Sequence, residues 1–318
     1  MKKINQVIAV GSVDGVCTSA AVLRSLAPGA DIKFVQAFTV NHVNPFTWKP
    51  ERRVLFVDLA VNNSDESMTV DFLRRVTDAG HQVVGVLDEH NADDWRRAFA
   101  AVGLDLGSLE IQPVSQDLGD IKSSGALLLS ILGDEADEQT RELCGAADAG
   151  DRMDFTTHFG GLVNSAVKSK IADDSRRVKL ARHFAEHREP DSEIQEWIAE
   201  YKEILRNHDS IVDAKENLGD GIHRVVATRV RVDMTTLMSR LYSEGARVVA
   251  LVGEAFVPAE KRKRELLALG TSDKSLDLME IIREADVNPL GGFAQKVNVE
   301  LSDEQTAIAA VRSAIRDA

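Results

Sequence analysis

The chain has 318 residues, and its 38 Lys or Arg against 51 Asp or Glu give a formal net charge of −13. Apolar residues make up 44% and charged residues 28%, a composition that excludes a disordered chain, a collagen-like fibre and a disulfide scaffold. No apolar run approaches the ~20 residues that cross a bilayer, so no membrane partner is expected. The acidic balance and the 5% of aromatic residues argue against long nucleic acid as a partner. The widely separated Cys17 and Cys144 predict reduced thiols in a cytoplasmic protein.

The first 90 residues alternate between strand and helix patterns. Short continuous apolar runs such as Val7–Val10 are typical of strands buried on both faces of a parallel sheet. This alternation predicts a doubly wound, mainly parallel α/β sheet. The expected strands are 7–10, 32–37, 54–57, 82–87 and 109–114, and the expected helices are 19–26 and one that is capped by Ser64 and ends at Gly80.

The pattern changes twice beyond residue 122. The segment 122–187 is mainly helical, and Ser192 with Gln195 forms a capping box that opens a long helix. From about Gly219 a second α/β pattern begins. The sequence therefore predicts a first domain over residues 1–188, a helical connector over 189–218 and a smaller α/β domain over 219–318. The other expected elements are helices at 123–132, 143–149, 235–242 and 275–285, a last helix capped by Ser302, and strands at 222–230, 246–252, 265–269 and 297–301.

Acidic residues follow three of the predicted strands. Asp14 comes after the first strand, Asp58 after the third, and Asp88 after the fourth, where Glu89 and His90 continue the acidic segment. Because parallel strands end at one edge of their sheet, these side chains are expected to converge there. Crowded carboxylates repel one another and persist when a cation offsets the repulsion. Oxygen ligands with one imidazole favour Mn²⁺ or Mg²⁺, and a pair of such ions can activate water beside a phosphoryl group.

Each acid taken singly also fits a turn residue or a helix N-cap, and the segment 88–91 fits a solvated loop. The conjunction of three strand ends in order is what favours a metal site. The sequence has no Walker phosphate loop, no Gly-x-Gly-x-x-Gly fingerprint and no Gly-x-Ser-x-Gly elbow, which argues against those nucleotide sites and against a serine hydrolase. His183 and His187 lie four residues apart without a zinc motif around them, and they predict an ordinary helix face.

The order of these motifs resembles the DHH/DHHA1 phosphoesterase superfamily, which contains RecJ-like exonucleases, nano-RNases and cyclic-dinucleotide phosphodiesterases. The segment Ser12–Gly15 resembles the family's Asp-x-Asp-Gly motif, Asp58 its second motif, and Asp88–His90 its Asp-His-His triplet. Gly150-Asp151 resembles the fourth motif, with Asp148 as the rival alignment. The resemblance covers nearly the whole chain.

The resemblance implies hydrolysis of a short phosphodiester or phosphomonoester, with one or two Mn²⁺ or Mg²⁺ ions as cofactor. The implied partner is a small anionic substrate, a nucleotide or short oligonucleotide, with a second copy of the chain as a further expected partner. His90 and Asp88 would be catalytic. The implied metal ligands are Asp14, Asp58, Asp88, Glu89 and Asp151, with Asp148 as the alternative to Asp151.

Substrate binding is expected at a Gly-Gly loop, because Leu290–Ala294 resembles the loop of that kind in the family's C-terminal domain. Gly291 and Gly292 would allow close approach of the backbone to a nucleotide or phosphate. Lys296 and Arg152 are further candidates for phosphate contacts.

Four departures from the family pattern leave two hypotheses open. Ser12 replaces an Asp, Ala9 and Val10 stand where an upstream His or Asn is usual, Glu89 replaces a His, and Phe293 replaces the His after the glycines. Glu89 can still bind a metal through oxygen, whereas Ser12 supplies no charge. The chain is therefore either a hydrolase, with one tight metal in place of two, or a non-catalytic nucleotide- or phosphate-binding protein that kept the fold. An unrelated nucleotide-binding α/β protein is a third interpretation.

Overall fold

The computed structural model describes residues 3–62, 65–90, 92–112, 123–171, 173–257 and 262–317. They form two compact units, residues 1–199 and 200–318. The helices are α1 Val13–Ser25, α2 Glu66–Asp78, α3 Ala92–Ala100, α4 Ser124–Leu132, α5 Glu138–Asp151, α6 His158–Ser169, α7 Asp174–Glu186, α8 Ser192–Asp213, α9 Met234–Ser243, α10 Leu278–Glu284 and α11 Glu304–Asp317. The strands are β1 Gln6–Val10, β2 Asp31–Val35, β3 Arg53–Val57, β4 Gln82–Leu87, β5 Glu216–Asn217, β6 Ile222–Val226, β7 Val248–Val257, β8 Arg262–Thr271, β9 Gly291–Phe293 and β10 Lys296–Glu300.

The first unit is built on a four-stranded parallel sheet in the order β2-β1-β3-β4. Its strands are buried on both faces. Val7 and Ala9 of β1 join the core made with α1 and α4–α7, whereas Ile8 joins a second core made with α2 and α3. The chain reverses direction across the sheet between β1 and β3, which is where doubly wound sheets place ligands. The predicted fold class is thus confirmed.

Local details of the first unit differ from the predictions. Helix α1 begins at Val13, earlier than expected, because the Oγ of Ser12 accepts a hydrogen bond from Gly15 N at 2.7 Å and caps the helix. Ser64 lies outside the described residues, and Asp65 caps α2. The expected strand at 109–114 is wrong over its described part, where Ile111 makes only an isolated bridge to Gly85.

The second unit contains a six-stranded sheet in the order β5-β6-β7-β8-β10-β9, in which only β6 and β7 run parallel. Strands β7 and β8 are longer than expected because they pair with each other along their full length as an antiparallel hairpin. Strand β6 is shorter than the expected 222–230 and ends at Val226. In the described part of the chain, no helix has the length and apolar character needed to cross a bilayer.

Three helix caps also differ from the predictions. Asp191 rather than Ser192 caps α8, since its Oδ1 accepts from Ile194 N at 2.9 Å. Asp277 caps α10, so that helix begins later than the expected residue 275. Ser302 lies in a short helical turn ahead of α11 and is not its cap. In the first two cases an aspartate near the predicted start is better placed to accept from the unpaired N–H groups of the first turn.

Candidate metal centre

The acidic side chains lie at the carboxyl edge of the parallel sheet. Asp14 sits in the first turn of α1, directly after β1, and Asp58 and Asp88 follow β3 and β4. Asp58 has a left-handed backbone with φ of 53°, a conformation that Asp tolerates better than most residues. Gly15 lets these elements approach, because a Cβ there would lie 2.1 Å from the carbonyl oxygen of Val10 and 3.1 Å from Asp58 Oδ2.

Two sets of side chains offer ligand atoms that all lie within 4.8 Å of one another. Asp58, Glu89 and His90 form one set, and Asp14, Glu89 and Asp151 form the other. Glu89 belongs to both, and its Oε2 is buried without a hydrogen-bond partner. A buried carboxylate oxygen with no donor is costly unless a cation meets it. The donor set, mainly carboxylate with one imidazole, fits Mn²⁺ or Mg²⁺.

Asp14 is held in place by hydroxyl groups. Its Oδ1 accepts from Thr18 Oγ1 at 2.8 Å and from Ser124 Oγ at 2.7 Å, and its Oδ2 accepts from Ser124 N at 3.2 Å. The side chain is only 3% exposed. Neither hydroxyl is predicted from the sequence as a partner of Asp14. For Ser124 the reason is that a hydroxyl in a small-residue helix carries no local signal of a contact 110 residues away.

Ser12 holds Asp58 and adds no charge to the site. Its Oγ donates to Asp58 Oδ2 while it also accepts from Gly15 N. One hydroxyl thus caps α1 and fixes the carboxylate that the next strand of the sheet brings alongside. Where the family pattern has a second aspartate, this chain has a neutral positioning group.

Asp88 lies behind His90. It is fully buried, its Oδ1 is 2.7 Å from His90 Nδ1, and its Oδ2 accepts from Trp95 Nε1 at 2.6 Å. With Nδ1–H directed at a carboxylate, the Nε2 lone pair of His90 is left for a ligand, as in many metal-binding histidines. The sets of converging ligand atoms contain Glu89 and His90 but not Asp88 among the described residues. Its assignment as a direct ligand stays a prediction, and the geometry favours an orienting role.

Burial, reinforced by neighbouring charge, raises the pKa of the clustered acids. Burial, followed by the charges of Asp14 and Glu89, raises the pKa of Asp58 well above its usual range. Burial and then Asp88 raise the pKa of Glu89 to about 8, and the hydrogen bond to Asp88 raises the pKa of His90 to about 9. Burial also raises the pKa of Asp14. Negative charge at this edge is therefore under-compensated by the protein itself.

The structure distinguishes Asp151 from Asp148, the two candidates for the fourth motif. Asp151, the last residue of α5, belongs to a ligand set, and burial raises its pKa. Asp148 instead accepts from Ser123 Oγ at 3.0 Å and pairs with Arg152 Nη1 at 2.5 Å. The geometry favours Asp151 over Asp148, and the same ion pair reduces the positive charge that Arg152 could offer to a phosphate.

The expected substrate loop lies in the second unit. Gly291 and Gly292 have φ values of 146° and 139°, and a Cβ on Gly292 would lie 2.1 Å from Lys296 O across the β9–β10 hairpin. Lys296 is half-buried, and burial lowers its pKa. The structure therefore shows why glycine is required at position 292, while the role of these residues and of Lys296 in substrate binding stays a prediction.

Solved structures match this fold along nearly the whole chain, although no protein-family model and no curated protein sequence matches it. PggH, a pGpG-specific phosphodiesterase from Vibrio cholerae, is 14% identical with a TM-score of 0.65, over 98% of this chain and 99% of that chain. RecJ from Thermus thermophilus in complex with Mn²⁺ is 14% identical with a TM-score of 0.58, over 99% of this chain and 52% of that chain. An exonuclease RecJ bound to manganese has a TM-score of 0.55 at 14% identity, over 99% of this chain and 90% of that chain.

Proposed function

We propose that this chain, which has the fold of the DHH/DHHA1 superfamily, is a metal-dependent phosphoesterase that hydrolyses a short nucleotide substrate. The observation that carries the proposal is the buried, unpartnered oxygen of Glu89, which lies where two sets of ligand atoms overlap. This site stands at the carboxyl edge of a parallel sheet, the usual ligand position in such folds. Crowded acids with raised pKa values at one such edge are a recognised mark of function.

The residues of the chain divide into ligands and positioning groups. Asp58, Glu89 and His90 would hold a divalent ion, which when bound supplies the charge that activates water and stabilises a phosphoryl group. Asp14 and Asp151 would extend the site on the other side of Glu89. Ligand binding requires deprotonated Glu89 and a neutral His90, so loading the site releases protons from both.

Positioning groups keep this arrangement fixed. Trp95 donates to Asp88, and Asp88 fixes the ring of His90. Ser12 holds Asp58 by a hydrogen bond. Partners of this kind set ligand orientation, and their loss commonly weakens metal affinity or activity by about 10- to 100-fold. These positioning groups would allow the site to bind metal although it has fewer charged ligands than the family pattern.

The overall charge supports a short substrate. At a net charge of −13 the protein repels a long polyanion, whereas a dinucleotide meets mainly the local field of a bound cation. The similar structure of a pGpG-specific phosphodiesterase supports this size class. Cys17 and Cys144 are both free and buried, which supports a reducing cytoplasmic location.

The second candidate function is nucleotide binding without hydrolysis. The observation that favours it is Ser12, a neutral hydroxyl that donates to Asp58 in place of a second charged ligand. A site with one carboxylate fewer would bind fewer metal ions or bind them with lower affinity. In that case the protein would hold metal and nucleotide but turn over neither a diester nor a monoester.

A matched pair of substitutions on α5 tests the proposal. Hydrolysis of a panel of short phosphodiesters and phosphomonoesters is measured with Mn²⁺ and with Mg²⁺ for the parent, Asp151→Asn and Asp148→Asn. The parent is expected to release product only with metal, Asp151→Asn to lose most activity, and Asp148→Asn to remain close to the parent. A parent that binds nucleotide with Mn²⁺ yet hydrolyses nothing would establish the non-catalytic function instead.

A further inference from the structure

Helix α5 ends in a strained turn beside the candidate metal centre. Its last residue is Asp151, and two residues later Met153 has a φ of 62°, in the left-handed region. Met153 N donates to Gly150 O at 3.0 Å and Asp154 N donates to Ala149 O at 2.9 Å. These bonds are those of a helix end closed by one left-handed residue.

Other helices of the chain close in the same way with residues suited to the turn. Gly80 ends α2, Gly103 ends α3 and Gly245 ends α9, while Asp286 ends α10, all with positive φ. Glycine has no Cβ to clash, and Asp is one of the few other residues that adopt this conformation readily. Among the described helix ends closed by this turn, only that of α5 carries a large apolar side chain, that of Met153. Its backbone is therefore strained where glycine would relieve the strain.

The Met153 side chain gains little from burial, because it is 60% exposed. Its position explains what it could contact. A Cβ on Gly150 would lie 2.9 Å from Val13 Cγ1 and 3.7 Å from Asp14 N, so the end of α5 packs against the start of α1. Met153 thus lies two residues beyond the candidate ligand Asp151, at the end of α5 that packs against α1. Strain and apolar exposure therefore coincide two residues from a candidate metal ligand.

We propose that Met153 is a specificity-determining residue whose thioether packs on the nucleobase next to the phosphate held at the metal centre. The inference rests on the proposed function and adds the part of the substrate that the acidic cluster cannot recognise. Carboxylates and a cation select the phosphate, whereas a base needs an apolar, polarisable surface. Methionine provides such a surface through its flexible chain and its favourable contacts with aromatic rings.

The test compares a dinucleotide with an abasic analogue that has the same backbone and charge. Met153→Gly and Met153→Ala are expected to raise KM for the dinucleotide by about 2- to 10-fold and to leave KM for the abasic analogue unchanged. Met153→Leu keeps an apolar side chain and should keep most of the preference. Met153→Gly should also raise the melting temperature, whereas Met153→Ala, which keeps a Cβ at the left-handed position, should not.

Asp286→Gly is the matched control, since it relieves the same kind of turn in the second unit. It should leave both KM values unchanged. Equal changes for the two substrates, or none, in Met153→Gly would overturn the inference while leaving the proposed hydrolysis intact. If the parent hydrolyses neither substrate, the proposed function fails. The role of Met153 is then tested by equilibrium binding of both compounds, fluorescently labelled, in the presence of Mn²⁺. A base preference that is lost in Met153→Gly then supports the inference, and an unchanged preference or no binding refutes it.

Discussion

Two buried aspartates, one in each unit, have nearly the same exposure and opposite surroundings. Asp233 is 6% exposed and accepts from Tyr201 Oη at 2.8 Å, from Thr236 Oγ1 at 2.7 Å and from Thr235 N at 3.1 Å, capping α9. Asp58 is 7% exposed, accepts from the Oγ of Ser12, and has the acids Asp14 and Glu89 and the imidazole of His90 as its charged neighbours. Burial alone does not distinguish a structural acid from a functional one.

The groups that surround each carboxylate distinguish the two aspartates. Hydroxyl and amide donors around Asp233 replace the water that the carboxylate lost on folding, so this charge is satisfied within the protein. The acids beside Asp58, Asp14 and Glu89, add like charge that the single imidazole of His90 offsets only in part, so a bound cation would relieve the remaining repulsion. The first arrangement should stabilise the fold, and the second should reduce stability until an ion binds.

The largest effect is expected for Asp58→Ala. Loss of this proposed ligand should reduce metal-dependent turnover by more than about 100-fold and should shrink the rise in melting temperature caused by Mn²⁺. Without metal, the melting temperature should hold or rise because one like charge has gone. Asp71→Ala, an exposed aspartate paired with Arg74 on α2, is the control. Full activity in Asp58→Ala would show that the chemistry lies elsewhere.

The second-largest effect is expected in how the stability of the metal-free protein changes with pH. The pKa of Glu89 rises from 4.5 to about 8 on folding, and that of His90 from 6.5 to about 9, so the folded state holds more protons than the unfolded state between these values. Stability from Glu89 is therefore lost as pH rises through about 8, and stability from His90 as pH rises through about 9.

A metal ion competes with protons for Glu89 and His90. The pH dependence can therefore be measured as the melting temperature with and without Mn²⁺. The melting temperature without metal should fall between about pH 4.5 and about pH 9, from the usual pKa of Glu89 to the raised pKa of His90, and the increase caused by Mn²⁺ should grow over the same range. Glu89→Gln should flatten both trends, since it removes the titrating carboxyl. A metal-free stability that rises with pH would contradict the assignment of Glu89 and His90 as proton-holding groups.

Asp233→Ala should lower stability and leave the metal response intact. Loss of the α9 cap, and of the carboxylate that accepts from the Tyr201 and Thr236 hydroxyls, should reduce the free energy of unfolding by about 2–4 kcal/mol. Asp277→Ala removes a cap with a single described side-chain bond, at 3.0 Å to Glu280 N, and should cost about 1 kcal/mol. Urea denaturation with and without Mn²⁺ measures both. A loss of the Mn²⁺ effect in Asp233→Ala would break the distinction between the two acids.

The smallest effect is expected for Tyr201→Phe. Asp233 keeps its threonine and backbone donors, so losing the phenolic hydroxyl should cost about 1 kcal/mol in the free energy of unfolding. Tyr242→Phe is the control, because burial alone raises the pKa of its hydroxyl and no hydrogen bond from that group is found in the described part of the chain. Equal losses in both variants would mean that the bond to Asp233 contributes nothing measurable.

The sequence predicted the strand ends of the first unit because their signals are local. Apolar runs buried on both faces, followed by Asp14, Asp58 and Asp88, identify a parallel sheet and the edge where its ligands gather. Helix starts were less predictable. Ser12 and Asp191 cap helices for which other first residues or caps were expected, because several polar residues near a helix start compete for the same N–H groups.

The sequence by itself thus determined the doubly wound sheet and the position of an acidic site at its carboxyl edge, because strand periodicity and parallel pairing bring those residues together without further information. Only the tertiary structure decided which carboxylates face one another. Asp151 rather than Asp148 joins Glu89, and Asp88 lies between His90 and Trp95, because these directions depend on how α5 packs against α1 and how Trp95 of α3 stacks on Phe56 of β3. Side-chain direction is set by packing between elements distant in sequence, which no local pattern encodes.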